Sequence, residues 1–145
     1  MVTWQKRRFH YERRFRDLIR SKNKEAREKM KHNFKNLKIW IISMEITSDI
    51  HKICLEFPKN EVYGLTSQMN RAAVSMPSNI AEGSNRGNTH FKQYLNISLG
   101  SSFELQTQLL IANQNKYITN EKTIEIENKI IEFQKITTEF ISKLE

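Results

Sequence analysis

Four long segments of this chain carry apolar side chains at the three- and four-residue spacing of an α-helix, and no segment alternates as a strand does. The pattern predicts helices over residues 36–57, 61–83, 89–115 and 120–144. Short connections between them favour antiparallel packing of neighbouring helices. We therefore predict an all-α fold, an up-down-up-down antiparallel four-helix bundle.

Size and hydropathy restrict the class of protein further. With 145 residues and 38% hydrophobic side chains, the chain can form one domain with a real core. No apolar run approaches the roughly 18 to 20 residues of a membrane span. The amino terminus is too charged and too aromatic for a secretory signal, so we expect a cytoplasmic protein.

Charge divides the chain more clearly than any linker does. Residues 1–33 hold 12 Lys and Arg against 4 Asp and Glu, whereas residues 34–145 hold 12 against 12. Aromatic and apolar residues recur in the first part at helical spacing, beginning with Trp4 and ending with Leu18. We predict two parts: residues 1–33 form an extra basic amphipathic helix and a link, and residues 34–145 form the bundle.

The basic helix is the best nucleic-acid element in the sequence. Lys and Arg neutralise phosphates, and aromatic rings stack on unpaired bases. The candidate residues are Trp4, Arg7, Arg8, Tyr11, Arg13, Arg14, Phe15, Arg16 and Arg20. Two alternatives stay open: the aromatic stripe packs on the bundle while the charges are solvated, or the helix lies on a membrane surface.

Pro77 is the most unusual feature of the predicted bundle, because it falls inside a helical pattern. A proline there removes a backbone hydrogen bond and costs about 3 kcal/mol unless the structure compensates. Ser75, Ser78 and Asn79 are the expected sources of compensating hydrogen bonds. Gly83 and the polar residues after it predict a helix stop and a turn.

Polar residues on the second and third predicted helices are candidates for a buried network or an oligomer contact. We expect Arg71 to pair with Glu104 between these helices. The alternative is a pair of carboxylates with general acid and base roles. The full set of structural candidates is Arg71, Pro77, Asn79, Glu82, Gly83, Glu104 and Gln108.

No residue pattern indicates catalysis, a cofactor or a metal. None of the four histidines follows a Glu by three residues, as a di-metal bundle requires, and no Cys or His cluster suits zinc. Cys54 is the single cysteine, in an Ile-rich helix, which is typical of a small buried hydrophobe. We predict a protein that is not an enzyme and has no cofactor.

Several short segments of the sequence resemble the corresponding segments of a known family. They are Phe34-Lys-Asn-Leu-Lys-Ile-Trp40, Tyr63-Gly-Leu-Thr-Ser-Gln68, Arg71-Ala-Ala-Val-Ser75, Pro77-Ser-Asn-Ile-Ala-Glu-Gly83, Leu99-Gly-Ser101 and Glu104-Leu-Gln-Thr-Gln-Leu109. Together they resemble the four-helix bundle family encoded in intervening sequences of bacterial 23S ribosomal RNA genes. The resemblance covers about residues 30–120. That family is similar in fold to the accessory protein of diversity-generating retroelements, a ring of five bundles.

The resemblance implies a homo-oligomer, a pentamer by analogy, with a nucleic-acid or protein partner and no catalysis. One departure weakens the analogy: retroelement accessory bundles are basic throughout, whereas residues 34–145 are neutral. The segment Met30-Lys-His-Asn-Phe34 also resembles the usual amino terminus of that family, which leaves open whether translation starts at Met1 or at Met30. We therefore expect an RNA-associated oligomeric scaffold or adaptor, with a ring that binds only protein, such as a reverse-transcriptase partner, as the alternative.

Overall fold

The computed structural model describes residues 16–21 and 33–144, and the regular elements in these ranges are all helical. The long helices are α1 (Lys38–Cys54), α2 (Leu65–Ser84), α3 (Asn88–Gln114) and α4 (Asn120–Lys143). Two short 3-10 turns, Phe34–Asn36 and Lys59–Glu61, precede α1 and α2. The all-α class is thus confirmed. The chain divides into two compact units, residues 1–31 and 32–145, and the rest of this section concerns the second.

The helix ends follow from local hydrogen bonds. The Thr119 side chain accepts from the backbone N–H of Lys122, as an N-cap does for α4. α2 begins at Leu65, four residues later than predicted, because the Glu61 carboxylate accepts from the Leu65 N–H at 3.0 Å. α1 ends at Cys54, three residues before the predicted Phe57.

The core lies between four helices that contact one another in a closed cycle. α1 packs against α2 and α4, and α3 packs against the same two helices. The core is therefore enclosed on all sides by apolar helix faces. Its largest fully buried side chains are Phe91, Phe133, Ile39, Ile46, Ile50, Met69, Met76, Ile80, Leu95, Leu105, Leu109 and Ile126.

α2 and α3 run in opposite directions. Gly83, near the end of α2, lies against Tyr94 near the start of α3, and Ser75 meets Ser101 further along. Within the described residues, no helix is long and apolar enough to cross a membrane.

Candidate functional site

Pro77 lies within α2, and the helix continues past it to Ser84. Because Pro77 has no N–H, the carbonyl of Ala73 has lost its helical partner. Thr47 Oγ1 on α1 donates to that carbonyl oxygen at 2.9 Å. The compensation therefore comes from a neighbouring helix, through a residue that our sequence reasoning did not identify.

The residues predicted to compensate for Pro77 do something else. Asn79 Nδ2 donates to the carbonyl oxygen of Ser75 at 2.8 Å and to Ser75 Oγ at 3.0 Å. Ser75 Oγ lies 2.8 Å from Ser101 Oγ on α3. Ser78 is exposed, and its side chain forms no hydrogen bond with the described residues. Asn79 and Ser75 thus join α2 to α3, and the expectation that they serve the freed carbonyl was wrong.

Gly83 allows the close approach of α2 and α3. A Cβ atom built on Gly83 would lie 2.6 Å from Tyr94 Cβ and 2.9 Å from Phe91 Cδ2. Gly83 itself lies inside α2 and has no positive φ, but the helix stop and turn predicted for Gly83 and the polar residues after it are confirmed. The helix ends one residue later at Ser84, and Asn85 follows as the C-cap.

Glu82 sits beside this contact. Its Oε1 atom accepts from Tyr94 OH at 3.0 Å and from Arg86 Nη2 at 3.3 Å. The Arg86 guanidinium lies over the Tyr94 ring, 4.9 Å from its centroid. The hydrogen bond to Glu82 raises the pKa of Tyr94 above its ordinary value. These three side chains stabilise the turn between α2 and α3 on its solvent-exposed side.

Arg71 and Glu104 do not form the expected pair. Both are exposed, and the ion pairs among the described residues do not include one between them. Glu104 Oε1 instead accepts from Gln108 Nε2, one turn along α3, at 3.1 Å. The side chain of Gln108 is buried, and its Oε1 atom has no hydrogen-bond partner among the described residues.

An exposed groove lies between α1 and α2. It has a volume of about 380 Å³ and contains no ionisable side chain. Phe34 packs edge-on against Trp40 at one end, with their ring centroids 5.3 Å apart. Such a surface can bind apolar side chains but offers no group for acid–base chemistry. The lining residues are Phe34, Trp40, Met44, Thr47, Val74, Pro77, Ser78 and Ala81.

The residues that line the groove come mostly from the sequence segments on which the family resemblance rests. All of its lining residues except Met44 and Thr47 fall within those segments. Pro77 and its compensating partner Thr47 both line the groove. Of the residues predicted to be structural, Pro77 lines this groove and the other six do not.

The predicted nucleic-acid residues are mostly outside the described ranges. Trp4, Arg7, Arg8, Tyr11, Arg13, Arg14 and Phe15 lie there, and no contact can be assigned to them. Arg16 and Arg20 lie in the helical segment 16–21, where the side chains are exposed. Among the described residues, no group of three or more His, Cys, Asp or Glu side chains is arranged to hold a metal.

Comparison with known proteins bears on the family and on the fold. The model of the 23S rRNA-intervening sequence protein family matches residues 35–139. A crystal structure of a protein of unknown function from the S23 ribosomal protein family of Bacteroides thetaiotaomicron superposes with a TM-score of 0.64. It shares 24% identity and covers 71% of this chain and 97% of its own, which supports the fold alone. The comparison with curated proteins gave no match. Because the family model matches well over half of the chain, this protein belongs to the 23S rRNA-intervening sequence protein family.

Proposed function

We propose that this protein is a non-enzymatic, cytoplasmic, oligomeric scaffold or adaptor that associates with RNA. Its second unit acts as an up-down-up-down antiparallel four-helix bundle that assembles with copies of itself, in a ring of five by analogy with the retroelement accessory protein. Its basic amino-terminal part contacts RNA.

The observation that carries the RNA proposal is the separation of charge. The whole excess of 8 positive charges lies in residues 1–33, and residues 34–145 sum to zero. Phosphate binding depends on local cation density, because each neutralised phosphate releases counterions. The bundle carries no net positive charge, so RNA affinity should come mainly from the first part of the chain.

A salt-series binding titration tests this assignment. The full chain is titrated with structured ribosomal RNA fragments at several salt concentrations. The test variant replaces Arg7, Arg8, Arg13, Arg14, Arg16 and Arg20 with Gln. The matched control variant replaces six exposed cations of the second unit with Gln: Lys35, Lys52, Lys59, Arg71, Lys116 and Lys135.

We expect steeply salt-dependent binding by the full chain and the control, and a loss of affinity and of salt slope in the test variant. Equal loss in both variants would mean that the bundle contributes the cations and would contradict the assignment. No binding by the unmodified chain would contradict RNA association itself.

The second candidate function is a ring that binds only protein. The groove between α1 and α2 supports it, because its lining is apolar and holds no ionisable side chain, which suits contact with apolar side chains of another protein. In that case the groove engages a partner such as a reverse transcriptase, and the unmodified chain fails to bind RNA at any salt concentration. The same titration separates the two functions.

A further inference from the structure

Two connections between helices meet at the end of the second unit where α1 and α3 finish and α2 and α4 begin. The first connection, between α1 and α2, spans residues 55–64, and the second, between α3 and α4, spans residues 115–119. Most side chains of both connections are exposed. The exceptions are Phe57 and Glu61 in the first, and Tyr117 and Ile118 in the second. Each connection is therefore anchored by two side chains.

The Glu61 carboxylate binds both connections. Its Oε2 atom accepts from the backbone N–H of Leu65 at 3.0 Å, at the start of α2. Its Oε1 atom accepts from Tyr117 OH at 2.9 Å. This hydrogen bond raises the pKa of Tyr117 above its ordinary value, so the phenol keeps the proton that it donates. One side chain thus joins two segments that lie 56 residues apart in the sequence.

Two further contacts support this arrangement. The Tyr117 ring packs against the buried Phe57 ring, with the ring centroids 5.5 Å apart, so the tyrosine touches the first connection twice. A Cβ atom built on Gly64 would lie 2.6 Å from Glu61 Oε2, in the space where the carboxylate folds back onto the Leu65 N–H. The glycine therefore leaves room for the carboxylate to bind at this position.

We infer that the two connections open and close as one unit, with the Glu61–Tyr117 hydrogen bond as the link between them. Segments anchored by few buried side chains are those that open locally in a folded protein. Here the anchors of one connection contact the anchor of the other, so release of either connection removes contacts from both. A partner bound to one connection would then affect the other, since both share one two-state element. The inference concerns the second unit alone and goes beyond the proposed function.

Tyr117→Phe tests the link, because it removes the hydroxyl and keeps the ring that packs on Phe57. Native-state hydrogen exchange of the full chain, followed by NMR for individual amides, measures local opening. The reporter is the Leu65 N–H, which lies outside the connection that carries the substitution. We expect it to exchange about tenfold faster in Tyr117→Phe, as the loss of a hydrogen bond to a charged group makes opening easier.

The reciprocal variant is Glu61→Ala, and its reporter is the Tyr117 N–H, which donates to the Ala112 carbonyl oxygen at 2.9 Å. This amide should also exchange faster, although the substitution lies in the other connection. Tyr94→Phe is the matched control. It removes another hydrogen bond from a tyrosine to a glutamate, Tyr94 OH to Glu82 Oε1, at the opposite end of α2. The control should leave both reporter amides at the rates of the unmodified chain.

Three outcomes would overturn the inference. An unchanged Leu65 rate in Tyr117→Phe would mean that the two connections open independently. Equal acceleration of Leu65 by Tyr117→Phe and by Tyr94→Phe would mean that the first connection opens only when the whole bundle unfolds. An unchanged Tyr117 amide in Glu61→Ala would mean that the carboxylate does not couple the two connections.

Discussion

Thr47 on α1 donates its hydroxyl to the carbonyl oxygen of Ala73 on α2, 2.9 Å away, at the position that Pro77 leaves without a backbone donor. The same hydroxyl lies 2.7 Å from the carbonyl oxygen of Ser43 within α1, so its single hydrogen is shared between the two acceptors. A hydrogen bond from α1 thus replaces the backbone hydrogen bond that α2 lacks at Pro77. The proline is tolerated because α1 supplies this donor.

Thr47→Val should therefore destabilise the protein while preserving the shape of the side chain. It leaves the carbonyl of Ala73, a buried residue, without a donor, which costs about 1 to 3 kcal/mol. Chemical denaturation measures this as a lower free energy of unfolding. In a Pro77→Ala background the backbone N–H gained at this position restores the helical bond, so the same Thr47→Val change should cost much less. Equal costs in the two backgrounds would contradict the compensating role of Thr47.

Gly83→Ala should also destabilise the protein, because the new methyl group would meet Tyr94 Cβ at 2.6 Å. Separating two packed helices to admit a methyl group costs about 1 to 3 kcal/mol. Gly100→Ala is the matched control, since Gly100 lies inside α3 and a Cβ there meets nothing within 4 Å. That change should stabilise the protein by about 0.4 to 1 kcal/mol. The midpoint temperatures of thermal unfolding of the two variants should therefore shift in opposite directions. Shifts of the same sign would contradict the inference that Gly83 allows the close approach of α2 and α3.

The sequence predicted the helices best where their ends depend on nearby residues. α3 was expected over 89–115 and spans Asn88–Gln114, and α4 was expected over 120–144 and spans Asn120–Lys143. The start of α2 was placed too early because periodicity does not reveal that Glu61 caps Leu65 from outside the helix.

The contacts between helices could not be predicted in the same way. Thr47 meets Ala73, and Gly83 meets Tyr94, only because of the register in which the helices pack, and hydrophobic spacing does not determine that register. The prediction of an Arg71–Glu104 pair rests on opposite charge and on the adjacency of two helices, neither of which determines the register, and both side chains are exposed to solvent. The groove could not be predicted for the same reason, because its lining comes from two helices whose relative register hydrophobic spacing does not determine.

Gln108→Leu should leave stability unchanged or raise it. The amide is buried and its Oε1 atom has no partner among the described residues, so an apolar side chain removes an uncompensated polar atom. Its Nε2 partner, Glu104, is exposed and can bind water instead. Gln134→Leu is the contrasting variant, because Gln134 Nε2 donates to Gln106 Oε1 at 2.9 Å. Denaturant unfolding should show a lower free energy of unfolding for Gln134→Leu only. A decrease of more than about 1 kcal/mol in Gln108→Leu would mean that the Oε1 atom of Gln108 does have a partner.

Cys54 should be unreactive in the folded protein. Burial raises the pKa of its thiol from the ordinary value of 9.0 to about 11, so the thiolate that reacts with alkylating agents is scarce. A shift of this size lowers the thiolate fraction at pH 8 by about a hundredfold. Alkylation of the native chain by iodoacetamide should thus be slow and should accelerate in denaturant. A native rate equal to that of the unfolded chain would contradict the burial of Cys54.

The same thiol should make stability depend on alkaline pH. The folded state holds the proton more tightly than the unfolded state, so the contribution of the thiol is fully present below pH 9 and is lost as pH rises from 9 towards 11. Cys54→Ala removes this contribution. Denaturation at pH 8, 9 and 10 should show a steeper loss of stability in the unmodified chain than in Cys54→Ala. Parallel curves for the two proteins would mean that Cys54 ionises equally easily in the folded and unfolded states.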